Sequence, residues 1–420
     1  MKTQFTWEPD LWCNIPRWLS SPDITVIETL CRSHLQLPAH CQVAVTPLTE
    51  GAFNKLYTIA ISDRGGSGSD PDPLRYIFRA TFPAEPFYKT ASEVATYSYL
   101  REHTTIPVPC IIAHCSSAEN ELGCEWILME MVPGVPLESV WKDIDLETKK
   151  IPTKLIADFW RQLQEQRFSA IGNIYFIKDI DAFNGAVRVL PTKDEKYVLG
   201  PIVTTYLFEG GRKIRLPRNL GPYSNDEEYM TALADSERED MKLLLSADAR
   251  SLHDFDKDLA GDAEDIVKVL NKLRPISAAL FPSQPRDFSL FHHDLSLNNI
   301  LIDPTTYEIT GVVDWECVGT RPHWEDKYPQ FLLTNGSECL DSEVKPLSLG
   351  DTDEVRVEHW ENWERRQLRP VFDRELGDEC DTGDGKDDVR RGFRQQLDTL
   401  YYSQEKVRGW IKTNAGCITN

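Results

Sequence analysis

Apolar and polar residues follow two different periods along the chain, and the change of period divides it into two parts. Short apolar runs rich in β-branched and aromatic residues predict strands at 42–49, 53–61, 74–81, 110–115 and 125–132. One helix is predicted among them at 91–102, because apolar residues recur there every three positions, namely Ala91, Val94, Tyr97 and Leu100. The first part is therefore predicted to be a small sheet with one helix.

Beyond the last of these strands the helical period dominates. Amphipathic spacing predicts helices at 152–166, 225–247, 262–273, 353–375 and 389–412, whereas residues 168–177 and 197–208 are irregular or strand-like. A further helix is predicted at 23–35, near the start of the chain. We therefore predict an N-terminal extension (1–40), a first lobe (41–132) and a larger, mainly helical second lobe (133–420).

Chemistry-bearing residues concentrate in one stretch, residues 288–316. Two short β-branched runs, 300–302 and 309–313, are separated by Pro304-Thr305-Thr306 and predict two strands joined by a turn. Asp294 and Asn299 then lie on the loop that enters the first strand, and Asp314 lies at the exit of the second. This arrangement places two carboxylates and one amide side chain near one end of the strand pair.

The set of Asp294, Asn299 and Asp314 suits phosphoryl transfer from ATP. One carboxylate orients and deprotonates the acceptor hydroxyl, while an amide oxygen and a second carboxylate hold the magnesium ions that neutralise the phosphates. The spacing His-x-Asp-x-x-x-x-Asn, followed by an Asp on the next strand, matches a kinase catalytic loop and metal site. Asp294 is the predicted base, and Asn299 and Asp314 are the predicted metal ligands. The alternative is a turn rich in Asp and Asn around a buried His292.

His-His-Asp-Leu-Ser-Leu-Asn-Asn-Ile-Leu, followed by Val-Val-Asp-Trp-Glu, resembles the aminoglycoside phosphotransferase and choline kinase group, in particular its fungus-type branch. The resemblance implies a two-lobed α+β fold like that of protein kinases, with a small antiparallel-sheet lobe and a mainly helical lobe. It implies ATP and Mg²⁺ as cofactors, and a small-molecule acceptor with a hydroxyl group. Asp314-Trp315-Glu316 stands where protein kinases carry Asp-Phe-Gly, and no Ala-Pro-Glu follows, which disfavours a protein kinase.

The same resemblance assigns a phosphate anchor in the first lobe. Arg79 occupies the position of the strand-three lysine, with Glu93 as its partner. Arg79 could instead be a charge on an edge strand, and Glu93 could cap its helix, because Thr90-x-x-Glu93 matches a capping box. Gly51 and Asn54 lie in the turn that covers the phosphates in kinases, although Gly51 is equally well explained as an ordinary turn glycine.

The resemblance also places the hinge between the lobes at Glu130 and Met131, whose backbone groups would bind adenine. Met129 and Met131 are equally well explained as core residues. His292 is predicted to pack in the core and hold the loop rather than transfer a proton, since Asp294 already fills the role of base.

Two further segments bear on the acceptor. Residues 200–203 and 221–229 resemble the inserted region near the acceptor site, and Asn225-x-x-Glu228 is predicted to cap the helix that follows. Residues 315–326 combine aromatic and acidic side chains that could form a partial cage for an amine, although an ordinary mixture of core and surface explains them better.

Composition narrows the class of partner. The chain has 46 basic and 67 acidic residues, a net charge of −21, which argues against nucleic acid or an anionic membrane as partner. Ten scattered cysteines without a Cys-x-x-Cys pair, and the lack of an apolar secretory segment or membrane span, predict a cytoplasmic protein. The sequence leaves the oligomeric state open.

Two other expectations come from composition. Residues 62–73, rich in Gly, Ser and Asp, predict a mobile hairpin tip. Acidic residues dominate 341–388, and the part between the helices predicted at 353–375 and 389–412 is predicted to be a solvated loop that does not match an EF-hand. A rival hypothesis from another class is a binding or scaffold protein on a degenerate kinase fold. It rests on the Arg at strand three and the unusual phosphate turn.

Overall fold

The computed structural model describes residues 5–9, 14–63, 73–183, 188–208, 220–246, 254–281, 283–284, 286–325, 327–333, 354–377, 385–400 and 403–418. Two predictions fall largely on residues outside these ranges. They are the mobile hairpin tip, of which residues 64–72 are not described, and the acidic loop between the two predicted helices, of which residues 378–384 are not described.

The chain begins with a hairpin and a helix. β1 (Phe5–Pro9) pairs antiparallel with β2 (Asn14–Trp18), a hairpin that the sequence did not predict. α1 (Ile24–His34) confirms the helix predicted at 23–35, and the Asp23 side chain caps it by accepting from the Thr25 N–H at 2.8 Å. The buried face of α1 lies in the core beneath the sheet that follows.

A five-stranded antiparallel sheet forms the first lobe and confirms the predicted strands. Their order across the sheet is β3-β4-β5-β7-β6. The central position of β5 buries its second half on both faces, which explains the apolar composition of that strand. The strands are β3 (Cys41–Glu50), β4 (Asn54–Asp63), β5 (Leu74–Thr81), β6 (Ile111–Cys115) and β7 (Glu125–Glu130).

α2 (Tyr88–His103) packs against this sheet and begins three residues earlier than predicted. Thr90 therefore lies inside the first turn, and no side chain caps the helix through the N-cap residue Phe87. The carboxylate of Glu125 instead accepts from the Phe87 N–H at 2.8 Å, which places negative charge at the helix N-terminus. The capping-box explanation of Glu93 is therefore wrong.

The second lobe is mainly helical, with short strands between the helices. Two short 3₁₀ helices lie at Ile177–Ala182 and Gln330–Leu332. The helices and strands are β8 (Val135–Pro136), α3 (Glu138–Trp141), α4 (Leu146–Glu165), β9 (Arg167–Phe168), β10 (Asn173–Phe176), β11 (Leu190–Pro191), β12 (Tyr197–Gly200), α5 (Thr205–Phe208), α6 (Asp226–Ser246), α7 (Asp254–Leu280), β13 (Phe288–Phe291), β14 (Ile300–Ile302), β15 (Ile309–Val312), β16 (Gly319–Arg321), α8 (Glu354–Leu376), α9 (Asp387–Thr399) and α10 (Gln404–Ile418).

The architecture confirms the expected two-lobed α+β fold, a small antiparallel sheet with a helix packed on it and a mainly helical second lobe. The residue boundaries of the three parts stay a prediction. The helical spacing of α4 predicts that Leu155 is buried on the same face as Ile156 and Trp160, but Leu155 is 38% exposed. No helix in the described ranges is long and apolar enough to cross a membrane.

The helix predicted at 389–412 is wrong, because the structure has two helices there, α9 and α10. α9 ends at Thr399 and α10 begins at Gln404, and Val407 of α10 lies in the same core as Phe393 and Leu397 of α9. A single straight helix would carry Val407 away from these residues, so burial of apolar surface favours the break.

One strand pair in the second lobe positions the candidate site. β14 pairs with β15 on one side and with β8, which follows the hinge, on the other. Ile300, Ile302 and Val312 are buried in the main core and fix the pair against it. The N–H of Val313 donates to the Asn299 carbonyl at 2.9 Å, so the entrance to β14 and the exit of β15 are joined.

Candidate active site

The loop between β13 and β14 carries His292 and Asp294. His292 is buried, its Nε2 donates to the Val313 carbonyl at 3.4 Å, and its ring lies 4.6 Å from that of Trp315. Burial lowers the pKa of His292 to about 3, so the ring is neutral at neutral pH. The structure thus places His292 in the core, where it ties the loop to the end of β15.

Asn299 holds Asp294 in place. Its Nδ2 donates to the Asp294 carbonyl at 2.8 Å and to the Asp294 Oδ2 at 3.1 Å. Because both bonds use the amide nitrogen, the amide oxygen of Asn299 remains available for a metal ion. Burial raises the pKa of Asp294, and the bond from Asn299 opposes that rise. A raised pKa makes the Asp294 carboxylate a stronger base.

Asp314 follows β15 in a left-handed conformation, with φ of 63°, a region that few residues other than Gly, Asn and Asp adopt. Its Oδ1 is buried and accepts no hydrogen bond from the residues that the structure describes; Arg79 Nη1 lies 3.6 Å away. Burial and the negative charge of Glu316 raise the pKa of Asp314. A buried carboxylate oxygen without a donor, together with the free amide oxygen of Asn299, fits the oxygen ligands that Mg²⁺ prefers.

Arg79 and Glu93 form a buried ion pair across the first lobe. Nη2 of Arg79 donates to Oε2 of Glu93, and the two side chains are 5% and 0% exposed. Arg79 is not an edge charge, because it lies between Leu56 and Ile127 on the two neighbouring strands. Burial acts to lower the pKa of Arg79, but the carboxylates of Glu93 and Glu316 outweigh it and keep the guanidinium charged. The structure therefore brings together Arg79, Glu93 and Asp314.

Lys89, which the sequence reasoning missed, and Glu316, which it considered only for the amine cage, belong to the same group. Oε2 of Glu316 accepts from Lys89 Nζ at 2.5 Å and from Asn54 Nδ2 at 2.8 Å. Burial acts to raise the pKa of Glu316, but the charges of Lys89 and Arg79 hold it below its ordinary value. Helical spacing was an available signal, because residues 89 and 93 lie one turn apart on the same face of α2.

The turn between β3 and β4 contains Gly51 and Asn54. The Gly51 N–H donates to the Asn54 carbonyl at 2.9 Å and closes the turn. A Cβ added at Gly51 would meet only the Asn54 carbonyl, at 3.9 Å, so the fold itself does not require glycine there. The amide nitrogen of Asn54 bonds to Glu316, so this side chain connects the turn to the residues around Asp314.

The hinge residues lie where the chain leaves the sheet. Glu130 ends β7, its N–H donates to the Cys110 carbonyl at 2.9 Å, and its side chain is exposed. Met131 is half-buried, whereas Met129 is buried in the core. Met129 is thus a core residue, and adenine binding by Glu130 and Met131 stays a prediction.

The tryptophans beyond Asp314 are core residues and do not form an amine cage. Trp315 is 1% exposed and its Nε1 donates to the Val312 carbonyl at 3.0 Å. Trp324 is fully buried, and its Nε1 donates to Asp226 at 2.7 Å. Asp326, the last residue of the predicted segment, lies outside the described residues.

A cleft of about 880 Å³ lies along α6 rather than at the Asp294 group. Its wall includes part of the segment 221–229, which was expected near the acceptor. At this segment the Glu228 N–H donates to Asn225 Oδ1 at 2.9 Å and confirms the predicted cap of α6. The cleft is lined by Arg188, Gly221, Pro222, Tyr223, Asn225, Glu227, Glu228, Thr231, Ala232, Asp235, Ser236, Glu239 and Ser283.

The chain is similar to two kinds of fungal protein. It is 28% identical over 361 residues to the subtelomeric hrmA-associated cluster protein of Aspergillus fumigatus, covering 78% of this chain and 67% of that protein. It is 25% identical over 349 residues to altered inheritance of mitochondria protein 9 of Candida tropicalis, covering 76% and 54%. The chain thus spans about half the length of the latter relative.

These relatives correct one expectation. The cytoplasmic location expected from the cysteines and the missing secretory segment is wrong, because several of the matched relatives are named as mitochondrial proteins. Scattered cysteines and the lack of a long apolar segment do not separate the cytosol from mitochondria, because mitochondrial targeting segments are amphipathic and lack a long apolar core.

Two solved structures resemble the chain at low identity. The streptomycin–ATP–APH(2")-IIa ternary complex is 12% identical with a TM-score of 0.43, covering 92% of this chain and 99% of that chain. Spectinomycin phosphotransferase APH(9)-Ia, in complex with ADP and spectinomycin, is 11% identical with a TM-score of 0.42, covering 94% and 95%.

The model of the phosphotransferase enzyme family matches residues 45–328, which span both lobes and include Arg79, Glu93, Asp294, Asn299 and Asp314. The match covers well over half of the chain, and with it the whole group of residues assembled above. The chain belongs to the phosphotransferase enzyme family.

Proposed function

We propose that this protein transfers the γ-phosphoryl group of ATP to a hydroxyl group of a small molecule, with Mg²⁺ as the metal. The observation that carries the proposal is the assembly around β14 and β15. Asn299 holds the Asp294 carboxylate through a bond of 3.1 Å, and Asp314 offers a buried oxygen 3.6 Å from Arg79. Phosphoryl transfer requires a positioned base, metal ligands and a cation for the phosphates, and each has a candidate in this group.

Asp294 is the proposed base. Its carboxylate takes the proton of the acceptor hydroxyl as the acceptor oxygen forms a bond to the γ-phosphorus and the bond from that phosphorus to the oxygen of ADP breaks. The raised pKa of Asp294 suits this role, and the hydrogen bonds from Asn299 fix the direction of the carboxylate.

Asn299 and Asp314 would hold Mg²⁺ through the amide oxygen and the carboxylate. A bound metal neutralises charge on the phosphates and thereby stabilises the transition state. Arg79 is the proposed contact to the phosphates, because its guanidinium can fork between Glu93 and a phosphate oxygen. Gly51, Asn54, Glu130 and Met131 are the remaining proposed nucleotide-binding positions, at the turn over the phosphates and at the hinge.

The rival hypothesis is a scaffold that keeps the fold without the chemistry. Its main support was the arginine at strand three, but Arg79 makes the ion pair to Glu93 that the lysine makes in kinases. Among the described residues, the buried Asp314 oxygen has no hydrogen-bond donor, an arrangement that is unfavourable for stability and that a scaffold has no chemical reason to retain.

ADP release tests the proposal. The purified chain is incubated with ATP, MgCl₂ and a panel of hydroxyl compounds that includes sugars, amino alcohols and antibiotics. We expect at least one compound to cause ADP release by the wild type, and we expect Asp294→Ala to reduce that release by about 100-fold or more. Acceptor-dependent release that persists in Asp294→Ala would refute the role of Asp294. Absence of release with every compound, together with nucleotide binding, would favour the scaffold.

A further inference from the structure

Lys89 is a buried cation at the edge of the candidate metal site. Its Nζ lies 2.5 Å from Glu316 Oε2 and 5.9 Å from the centre of the Phe53 ring, and its side chain is only 1% exposed. Burial acts to lower the pKa of Lys89, but the charge of Glu316 outweighs it and raises the pKa. Lys89 is therefore positively charged at neutral pH, and none of the kinase roles assigned above uses it.

The charges of the five ionisable residues around the candidate metal site nearly cancel. Arg79 and Lys89 supply two positive charges, and Glu93, Asp314 and Glu316 supply three negative charges. Arg79 is occupied by Glu93 and approaches Asp314, while Lys89 occupies Glu316. A divalent cation that arrives at Asp314 thus meets a neighbouring carboxylate that is already neutralised by a lysine.

We propose that Lys89 makes metal binding at Asp314 conditional on nucleotide, by occupying Glu316 and repelling a divalent cation until nucleotide phosphates bring further negative charge. This inference rests on the proposed function for the identity of the metal and the nucleotide. Two like charges close together in a partly buried site repel strongly, since little water screens them. The phosphates of ATP supply the negative charge that offsets this repulsion, so metal and nucleotide bind together.

Lys149 provides a control that separates the proposed role of Lys89 from a contribution to stability alone. A second buried pair, Lys149 with Glu364 at 2.6 Å, joins α4 to α8, and Lys149 lies 5.1 Å from the centre of the Trp141 ring. The two lysines are thus alike in burial, partner and aromatic neighbour, but only Lys89 pairs with Glu316, two residues from Asp314. Lys149→Met is therefore a matched control for the loss of a buried lysine.

The test compares thermal unfolding of the wild type, Lys89→Met, Lys89→Arg and Lys149→Met in a titration with MgCl₂ alone, and again with ATP present. Without ATP, we expect the Mg²⁺ concentration that half-saturates Lys89→Met to be roughly tenfold or more below that of the wild type. The reason is that the substitution removes a charge that repels the metal. Lys89→Arg keeps the charge, and Lys149→Met keeps Lys89, so both should titrate like the wild type.

Three results would overturn the inference. The first is a Lys89→Met protein that needs the same Mg²⁺ concentration as the wild type for half-saturation, and the second is a Lys89→Met protein that needs a higher concentration. The third is a Lys149→Met protein that shows the same change as Lys89→Met. If Lys89→Met lacks a cooperative transition, Lys89→Gln removes the charge while keeping a donor for Glu316, and the same expectation applies. Failure of the proposed function would appear separately, as a wild type that ATP and Mg²⁺ together do not stabilise.

Discussion

The Nδ2 of Asn299 donates to the Oδ2 of Asp294 at 3.1 Å, so a proposed metal ligand directly orients the proposed base. The same nitrogen reaches the Asp294 carbonyl at 2.8 Å, which fixes the loop as well as the carboxylate. The side chain of Asn299 thus links the two halves of the proposed chemistry, the proton transfer and the metal site.

Asp294→Asn separates these two roles. The substitution keeps the size and polarity of the side chain but removes its basicity, so kcat should fall by about 10²–10⁴-fold. Nucleotide binding should persist, because Arg79, Asn299 and Asp314 are unchanged. Turnover and the thermal shift with Mg²⁺ and ATP measure the two effects, and near-normal turnover would show that Asp294 is not the base.

The pH dependence of kcat/KM should report the raised pKa of Asp294. The base must be deprotonated, so activity should fall with decreasing pH at a value above 3.8, the ordinary pKa of Asp. The hydrogen bond from Asn299 lowers the pKa and the charge of Glu316 raises it. Asn299→Ala should therefore move the acidic limb to higher pH, and Glu316→Gln should move it to lower pH. A limb that stays in place in both variants would contradict this account.

Removal of Arg79 should destabilise the fold strongly. Arg79→Met leaves the Glu93 carboxylate buried without its cation, a change that costs about 3–5 kcal/mol in the free energy of unfolding. Denaturant unfolding measures this loss. Arg161→Met is the control, because the pairs of Arg161 with Asp158 and Glu165 are solvent-exposed, and its effect should remain within about 0.5 kcal/mol. Equal losses in the two variants would contradict a central role for the Arg79–Glu93 pair.

Gly51→Ala tests whether the turn covers the phosphates. An added Cβ has room in the fold, since its nearest neighbour lies 3.9 Å away, so stability should change by less than about 0.5 kcal/mol. If nucleotide phosphates approach this backbone closely, affinity should fall by roughly tenfold, which corresponds to about 1.4 kcal/mol. Unchanged affinity, measured by isothermal titration, would make Gly51 an ordinary turn residue.

Gly134 provides the opposite control for that experiment. Its φ is +117°, and an added Cβ would lie 2.5 Å from the Ile302 carbonyl, where the hinge crosses β14. Gly134→Ala should therefore lower stability by more than about 1 kcal/mol. Comparison of the two variants distinguishes a glycine that the fold needs from one that only a ligand would need.

The features that the sequence predicted well are local. The spacing of Asp294 and Asn299 and the two β-branched runs before Asp314 lie within one stretch of chain, and alternation within a strand sets the direction of each side chain. The stripe of α2 and the strands of the first lobe were predictable for the same reason, because period and propensity act over a few residues.

The features that the sequence did not predict depend on distant partners. Lys89 and Glu316 are 227 positions apart, and Asn54 and Glu316 are 262 apart, so no local pattern joins them. The start of α2 was placed too late because its cap comes from Glu125 on another strand, 38 positions from Phe87. The break between α9 and α10 likewise follows from packing of Val407, which no local signal marks.

Metal-dependent nucleotide binding tests the central claim most directly. The thermal midpoint is measured for the wild type and for Asp314→Ala, with and without Mg²⁺ and ATP. Nucleotide at about a hundred times its dissociation constant should stabilise the wild type by roughly 2.7 kcal/mol. We expect this shift to require Mg²⁺ and to vanish in Asp314→Ala. A wild type that millimolar Mg²⁺ and ATP do not stabilise, or an Asp314→Ala protein that keeps the metal-dependent shift, would contradict the account.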